Sequence, residues 1–162
     1  AMGRIDTDLY VLDGVVPRTK LEEALEKITA IGKRHGVNLT NVFHAGDGNL
    51  HPNISFDGRD ADATARTIAA GHEILQLCMD LGGSITGEHG IGTEKLDHVS
   101  MMFEPEDLDV MARVRAVFNP DGRCNPGKVL PQRNACAEVS KWPQMVAKVL
   151  DVDEVPPPEA TS

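Results

Sequence analysis

The chain has 162 residues, 41% hydrophobic but only 4% aromatic, enough for one domain with an aliphatic core. Its net charge of −9 argues against nonspecific nucleic-acid or anionic-membrane binding, both of which require a basic face. No apolar run reaches the ~18 residues of a membrane-spanning helix, and no signal peptide is expected ahead of the first predicted strand.

Ala1-Met2-Gly3 has no structural logic of its own and reads as a cloning remnant or a cut within a longer chain. Residues 9–16, rich in Val and Leu, predict a strand ending at Pro17. Thr19-Lys20-Leu21-Glu22 has the pattern of a capping box, with Thr19 accepting from the third helical N–H and Glu22 reaching back. Leu21, Leu25, Ile28 and Ile31 then recur at helical spacing, and Gly36 predicts a left-handed cap. Residues 39–45 and 49–56 read as a hairpin. After a turn at Asp57-Gly58, residues 60–81 predict a long helix with Ala65, Ile68, His72, Leu75, Cys78 and Met79 on its apolar face. There His72 is structural and Cys78 a small core residue.

Gly82-Gly83 ends that helix. Residues 84–87 read as extended, and Glu88-His89-Gly90-Ile91-Gly92 as a glycine-rich loop. Helices follow over 93–102, with Thr93 as a cap, and over 105–118. Asn119-Pro120-Asp121-Gly122 is a turn, and Asn125-Pro126-Gly127-Lys128 a second irregular segment. Trp142 and residues 145–150 suggest a docking helix, and the proline-rich, acidic 151–162 a loose end. Cys78, Cys124 and Cys136 are odd in number and lack a CxxC spacing, so free thiols in a reducing cytoplasm are expected. The order predicts an α+β fold, an antiparallel sheet with helices on one face, over 1–134, and a partly disordered tail over 135–162.

His44-Ala45-Gly46-Asp47-Gly48-Asn49-Leu50-His51 carries the chemistry. A type I′ turn centred on Asp47-Gly48 would set Gly46 opposite Asn49, Ala45 opposite Leu50 and His44 opposite His51. Opposed Cβ atoms stand roughly 4.5–5.5 Å apart, a distance at which two imidazoles can chelate a divalent metal. One face would collect Phe43, Ala45, Leu50, Pro52, Ile54 and Phe56. The other would collect His44, Gly46, Asn49, His51 and Asn53. Glu88 would complete a two-histidine, one-carboxylate set that leaves coordination positions open for substrate, and His89 would be free as a general base. Glu88 as a helix cap and His89 as a solvated loop residue are the bland alternatives. The phosphate-loop patterns GxGxxG and GxxxxGK[ST] are absent.

The 44–52 stretch, then Gly82-Gly83-Ser84-Ile85-Thr86-Gly87-Glu88-His89-Gly90-Ile91-Gly92, then Asn125-Pro126-Gly127-Lys128, resemble the carboxy-terminal domain of the FAD-linked 2-hydroxyacid oxidases and dehydrogenases. That group lies in the vanillyl-alcohol-oxidase superfamily, and the likeness is strongest to its glycolate oxidase branch. Asp13-Gly14-Val15-Val16-Pro17-Arg18 and the segment around Cys136 fit it too. The resemblance implies a ferredoxin-like cap over an FAD domain, in which FAD takes a hydride from a 2-hydroxyacid such as glycolate, D-lactate or D-2-hydroxyglutarate. It implies His44, His51 and Glu88 as ligands of a divalent metal, zinc or manganese, and His89 as proton acceptor. It places Asn53 beside the substrate and Asn125 near the flavin, and it implies partner subunits, one of them an iron–sulfur protein.

The FAD domain's glycine-rich loop and the first part of the cap have no counterpart here. The chain thus resembles a carboxy-terminal piece of a longer subunit, cytoplasmic or held at a membrane through a complex. By itself it should neither bind FAD tightly nor turn over, and its exposed sheet edge should make it self-associate. Arg4, Arg18 and Lys20 are candidate substrate-carboxylate partners without assignment. A non-catalytic metal-binding module serving subunit assembly, and a purely structural α+β domain, are the competing readings.

Overall fold

The computed structural model describes residues 5–130. In chain order they form β1 (Asp8–Val11), β2 (Gly14–Val15), α1 (Leu21–His35), β3 (Asn38–His44), β4 (Asn49–Phe56), α2 (Ala61–Asp80) and α3 (Pro105–Phe118). Short 3-10 helices lie at Arg18–Lys20 and Leu96–Met101. Arg4, Cys136, Trp142 and the expected tail lie outside the described residues.

Among the described residues every pairing between strands is antiparallel and involves β4, with β3 along one side and β1 and β2 along the other. Val11 opposite Asn53 and Gly14 opposite Leu50 belong to one register. The expected 9–16 strand is therefore present but divided, with Leu12 and Asp13 opposite Pro52 and His51. Pro52 causes the division. Leu12 N–H donates to Pro52 O at 3.0 Å, but proline has no N–H to return the bond.

One sheet face carries Leu12, Val16, Leu50 and Ile54. Against it α1 lays Ala24, Ile28 and Ile31, and α2 lays Ala70, Ile74, Leu75 and Cys78, all buried. This is the expected α+β layering. The apolar stripe of α2 is nonetheless rotated from its expected position. Ala65, Ile68 and His72 are exposed, Ile68 by 61%, while Thr67, Ala70 and Gly71 turn inward. Close packing is the reason: a Cβ on Gly71 would stand 2.6 Å from Tyr10 Cε1, so the small residues face the sheet. His72 lies outside the core beside His98, with ring centroids 5.1 Å apart.

Helix ends follow the sequence in part. Gly36 closes α1 at φ +63°, and Asp60 caps α2 by accepting from the N–H groups of Asp62 and Ala63. The capping box at Thr19 and Glu22 does not form. Lys20 N–H donates to Pro17 O at 2.7 Å, which tightens the entry into a 3-10 turn, and α1 starts at Leu21 with no side-chain cap. The helix expected over 93–102 shrinks to the 3-10 segment Leu96–Met101, because Lys95 is drawn into the interior, where it is 2% exposed.

The hairpin register differs from the expected one by two residues. His44 pairs with Asn49 and Val42 with His51, and the loop is the four residues Ala45-Gly46-Asp47-Gly48. Both Asp47 and Gly48 N–H donate to His44 O at 3.0 Å. A type I′ turn needs positive φ at both central residues; here Gly48 alone has it, at +77°. A shift of two keeps every paired side chain on its face, while Ala45 and Gly46 pass into the loop. His44 and His51 thus share a face as diagonal neighbours, not as an opposed pair. The turn is clamped by the segment after β2: Val16 N–H donates to Gly48 O at 3.0 Å.

A Cβ on Gly48 would lie 2.1 Å from Val16 O, whereas one on Gly46 would meet nothing within 4 Å. Urea unfolding should therefore show Gly48→Ala losing about 2–4 kcal/mol from combined backbone strain and overpacking. Gly46→Ala should stay within about 1 kcal/mol of the native chain.

Candidate active site

The face of the sheet opposite the core carries Asp13, His51, Asn49 and His44. Residues 84–92 cross over it. Ser84 and Val15 exchange backbone bonds at 2.9 and 3.0 Å, which brings the crossing segment down beside β2. Beyond Ser84 the segment has no helix or strand to hold it, and Asp13 takes that part. Thr86 Oγ1 donates to Asp13 Oδ2 at 2.7 Å, Gly87 N–H at 3.0 Å and His89 N–H at 2.9 Å, while Glu88 N–H reaches both oxygens at 3.2 Å. Lys95 Nζ adds a bond to Oδ2 at 3.3 Å. Gly87 has to be glycine for this approach, since a Cβ there would lie 2.8 Å from Asn49 Cγ and from Val15 Cγ2. Burial alone would raise the Asp13 pKa. The Thr86 hydroxyl and the N–H groups of His89, Gly87 and Glu88 outweigh it and hold the carboxyl below the usual carboxylate range.

Anchored this way, the loop turns Glu88 toward the hairpin. Its Oε1 lies 3.2 Å from His44 Nε2 and its Oε2 lies 3.8 Å from His51 Nε2. The rings of His44 and His51 meet edge-on with centroids 5.4 Å apart, and His89 stacks on His51 at 5.2 Å. His44, His51, Glu88 and His89, which come from two separate stretches of sequence, thus stand together. His51 is buried, whereas His44, Glu88 and His89 are exposed. Asn53 is half-buried two residues beyond His51 and donates to its backbone carbonyl at 3.1 Å. Asn125 belongs to a separate segment, where Arg115 donates to the carbonyls of Cys124, Asn125 and Lys128. That segment joins the loop through Val129 N–H, which donates to Gly92 O at 2.9 Å. Lys20 is paired with Glu23 at 2.9 Å.

The donors suit a divalent metal. One ligand atom from each of His44, His51 and Glu88 lies within 4.8 Å of the other two, a triangle that a single ion can bridge. His51 Nδ1 stands 3.1 Å from Leu12 O. A carbonyl only accepts, so Nδ1 carries the proton and Nε2 presents its lone pair, the state a metal requires. That carbonyl is the one Pro52 leaves without its ladder donor. Asp13, His51 and His89 also meet the spacing, but the Asp13 oxygens are already occupied by five donors. Among the described residues, the Glu88 carboxylate is paired only with the two histidines. Asn49, buried beneath Gly87, has both amide atoms without a hydrogen-bond partner among the described residues.

Residues 1–129 match the model of the FAD linked oxidases, C-terminal domain. The chain belongs to this family. As an FAD-linked oxidase domain it is 45% identical over 138 residues to the glycolate oxidase subunit GlcD of Escherichia coli, covering 85% of this chain and 28% of that protein. It is 36% identical over 129 residues to GlcD of Bacillus subtilis, covering 80% and 27%. Its identity to a D-lactate dehydrogenase of Archaeoglobus fulgidus is 35% over 123 residues, covering 75% and 27%. The chain thus spans less than a third of the length of these relatives. No helix among the described residues of this oxidase domain is long and apolar enough to cross a membrane.

Sequence reasoning gave no role to Asp13 or Lys95. The run from Asp13 to Arg18 was part of the family likeness, but neither periodicity nor spacing reveals a pair 82 positions apart.

Nitrogen NMR of the imidazoles, above neutral pH and without metal, should show His51 as the Nδ1–H tautomer. Pro52→Ala returns an N–H that competes for Leu12 O, and the Nε2–H fraction should rise. The depressed Asp13 pKa has a definite sign: its stabilisation is present above about pH 4 and is lost as pH falls through the folded-state value. Urea midpoints of the native chain and Asp13→Asn should differ at neutral pH and converge on acidification.

Proposed function

We propose that the chain is the part of a flavin-dependent 2-hydroxyacid oxidoreductase that binds a divalent metal and accepts the substrate's hydroxyl proton. The observation that carries the reading is the convergence of His44 and His51 on one hairpin with Glu88 on a distant loop. Zinc or manganese fits this nitrogen and oxygen donor set, with His44, His51 and Glu88 as ligands. Such an ion supplies Lewis acidity toward the hydroxyl and carboxylate of a bound 2-hydroxyacid. The FAD of the family supplies the two-electron acceptor, and we assign its binding mainly to the length that the relatives have beyond this match.

The chain's own groups then have separate tasks. His89 stacks beside His51 with its ring exposed, and it takes the hydroxyl proton while the α-hydrogen leaves with its electron pair as hydride, giving the 2-oxoacid. Asn53 hydrogen-bonds the substrate, and Asn125 lies toward the flavin. Glycolate and D-lactate are the substrates that the names of the relatives support.

Calorimetric titration of zinc or manganese into the chain should show one site, lost in both His44→Ala and Glu88→Ala and kept in His89→Ala. In the flavin-loaded full-length enzyme, His89→Ala should lower kcat by about 10²-fold or more with metal content unchanged. Retained turnover would remove His89 from its role. Metal binding with no 2-hydroxyacid turnover in the full-length protein would favour an assembly module. The isolated chain should purify colourless, and stoichiometric flavin in it would contradict the division of labour.

A further inference from the structure

We infer that Asp13 and Lys95 are the positioning pair of the metal centre: their buried contact fixes the loop bearing Glu88 and His89, and so sets metal affinity without touching the ion. The inference rests on the metal-centre reading above and concerns two residues that reading does not use.

Three consecutive N–H groups, of Gly87, Glu88 and His89, converge on one carboxylate. Successive backbone donors turned inward around an anion form a nest, which fixes the backbone of every residue in it. The Thr86 hydroxyl closes the ring, since it donates to Asp13 and accepts from Gly90 N–H at 2.9 Å. The conformation from Thr86 to Gly90 is thereby referred to one side chain. With the donors inward, the Glu88 side chain projects toward the hairpin and His89 lies along His51.

Asp13 also stands opposite His51 in the sheet register. The group that anchors the loop is therefore next to the buried imidazole, and it sets the separation between Glu88 and His51 from the buried junction of β1 and β2. Lys95 keeps this anchor in place. Its Nζ lies 3.3 Å from Asp13 Oδ2 and 3.4 Å from Asp13 O, with Asp13 and Lys95 0% and 2% exposed. It supplies the charge that a buried carboxylate needs. The same five donors explain why Asp13 anchors and does not ligate.

The test uses Asp13→Asn combined with Lys95→Met, which removes both buried charges together so that neither is left unpaired. Circular dichroism and the exchange protection of α1 and α2 amides report whether the double variant folds. In the folded variant, exchange at the Gly87, Glu88 and His89 amides should accelerate at least tenfold, and zinc affinity should fall about 10–100-fold. The decisive readout is coupling. Glu88→Ala should cost zinc affinity in the native chain and almost nothing in the double variant, because Glu88 is no longer held toward the histidines. A purely structural role for the pair would leave the Glu88 contribution intact.

Native zinc affinity in the folded double variant overturns the inference while leaving the metal-centre reading standing. A native chain whose zinc binding is unaffected by Glu88→Ala overturns the metal centre and the inference with it. If the double variant does not fold, Thr86→Val removes one donor without changing charge. It should weaken zinc binding several-fold in the same direction, and unchanged affinity would overturn the inference.

Discussion

A single buried carboxylate organises the functional face of this domain. Asp13 accepts from a hydroxyl and three backbone N–H groups and faces an ammonium group, with the carboxylate and the ammonium both buried. Leaving such a charge unpaired inside a protein is strongly destabilising, typically by about 3–5 kcal/mol when one partner of a buried ion pair is removed. The loop over the sheet is therefore coupled to the strand beneath it by necessity, although it has no secondary structure. Its shortage of side-chain bulk has the same origin, because the backbone must come down to within hydrogen-bonding distance of the strand, and Gly87 permits it.

The second constraint is the strand β4, which is paired on both edges and buried on both faces for most of its length. Its alternation divides labour between the faces: Leu50 and Ile54 point to the helices, His51 and Asn49 to the loop. Pro52 sits between these sets and acts on both. It interrupts the ladder to β1 and β2, and the carbonyl thereby left without a ladder donor holds the His51 ring in one orientation. A residue on the core face thus determines which nitrogen is available on the other face.

The sequence made the hairpin, its two-faced pattern and the pairing of histidines with a glutamate legible, because period-two alternation survives a register error of two. It misled on the turn, since Asp-Gly is a signal for a two-residue connection and the packing of Val16 on Gly48 selected a longer one. The α2 stripe was misjudged for a related reason. Ile68 is the more hydrophobic choice, but Tyr10 comes so close to the helix that only a glycine, Gly71, fits beneath it. Asp13 and Lys95 were beyond reach, because a buried ion pair between distant segments leaves no local pattern. Membership of the FAD-linked oxidases could be read from the motifs themselves, while the loop's means of support could not.

The sheet works as a partition. The helices pack on one face of the sheet and the candidate ligands stand on the other, so none of His44, His51 or Glu88 belongs to the hydrophobic core. Small zinc domains that fold only around their ion have no such separation. On the proposed reading, folding and metal loading would be separate events: a chelator would strip the centre and leave an empty but shaped receptacle. The ion would be exchangeable equipment of the domain and not part of its framework.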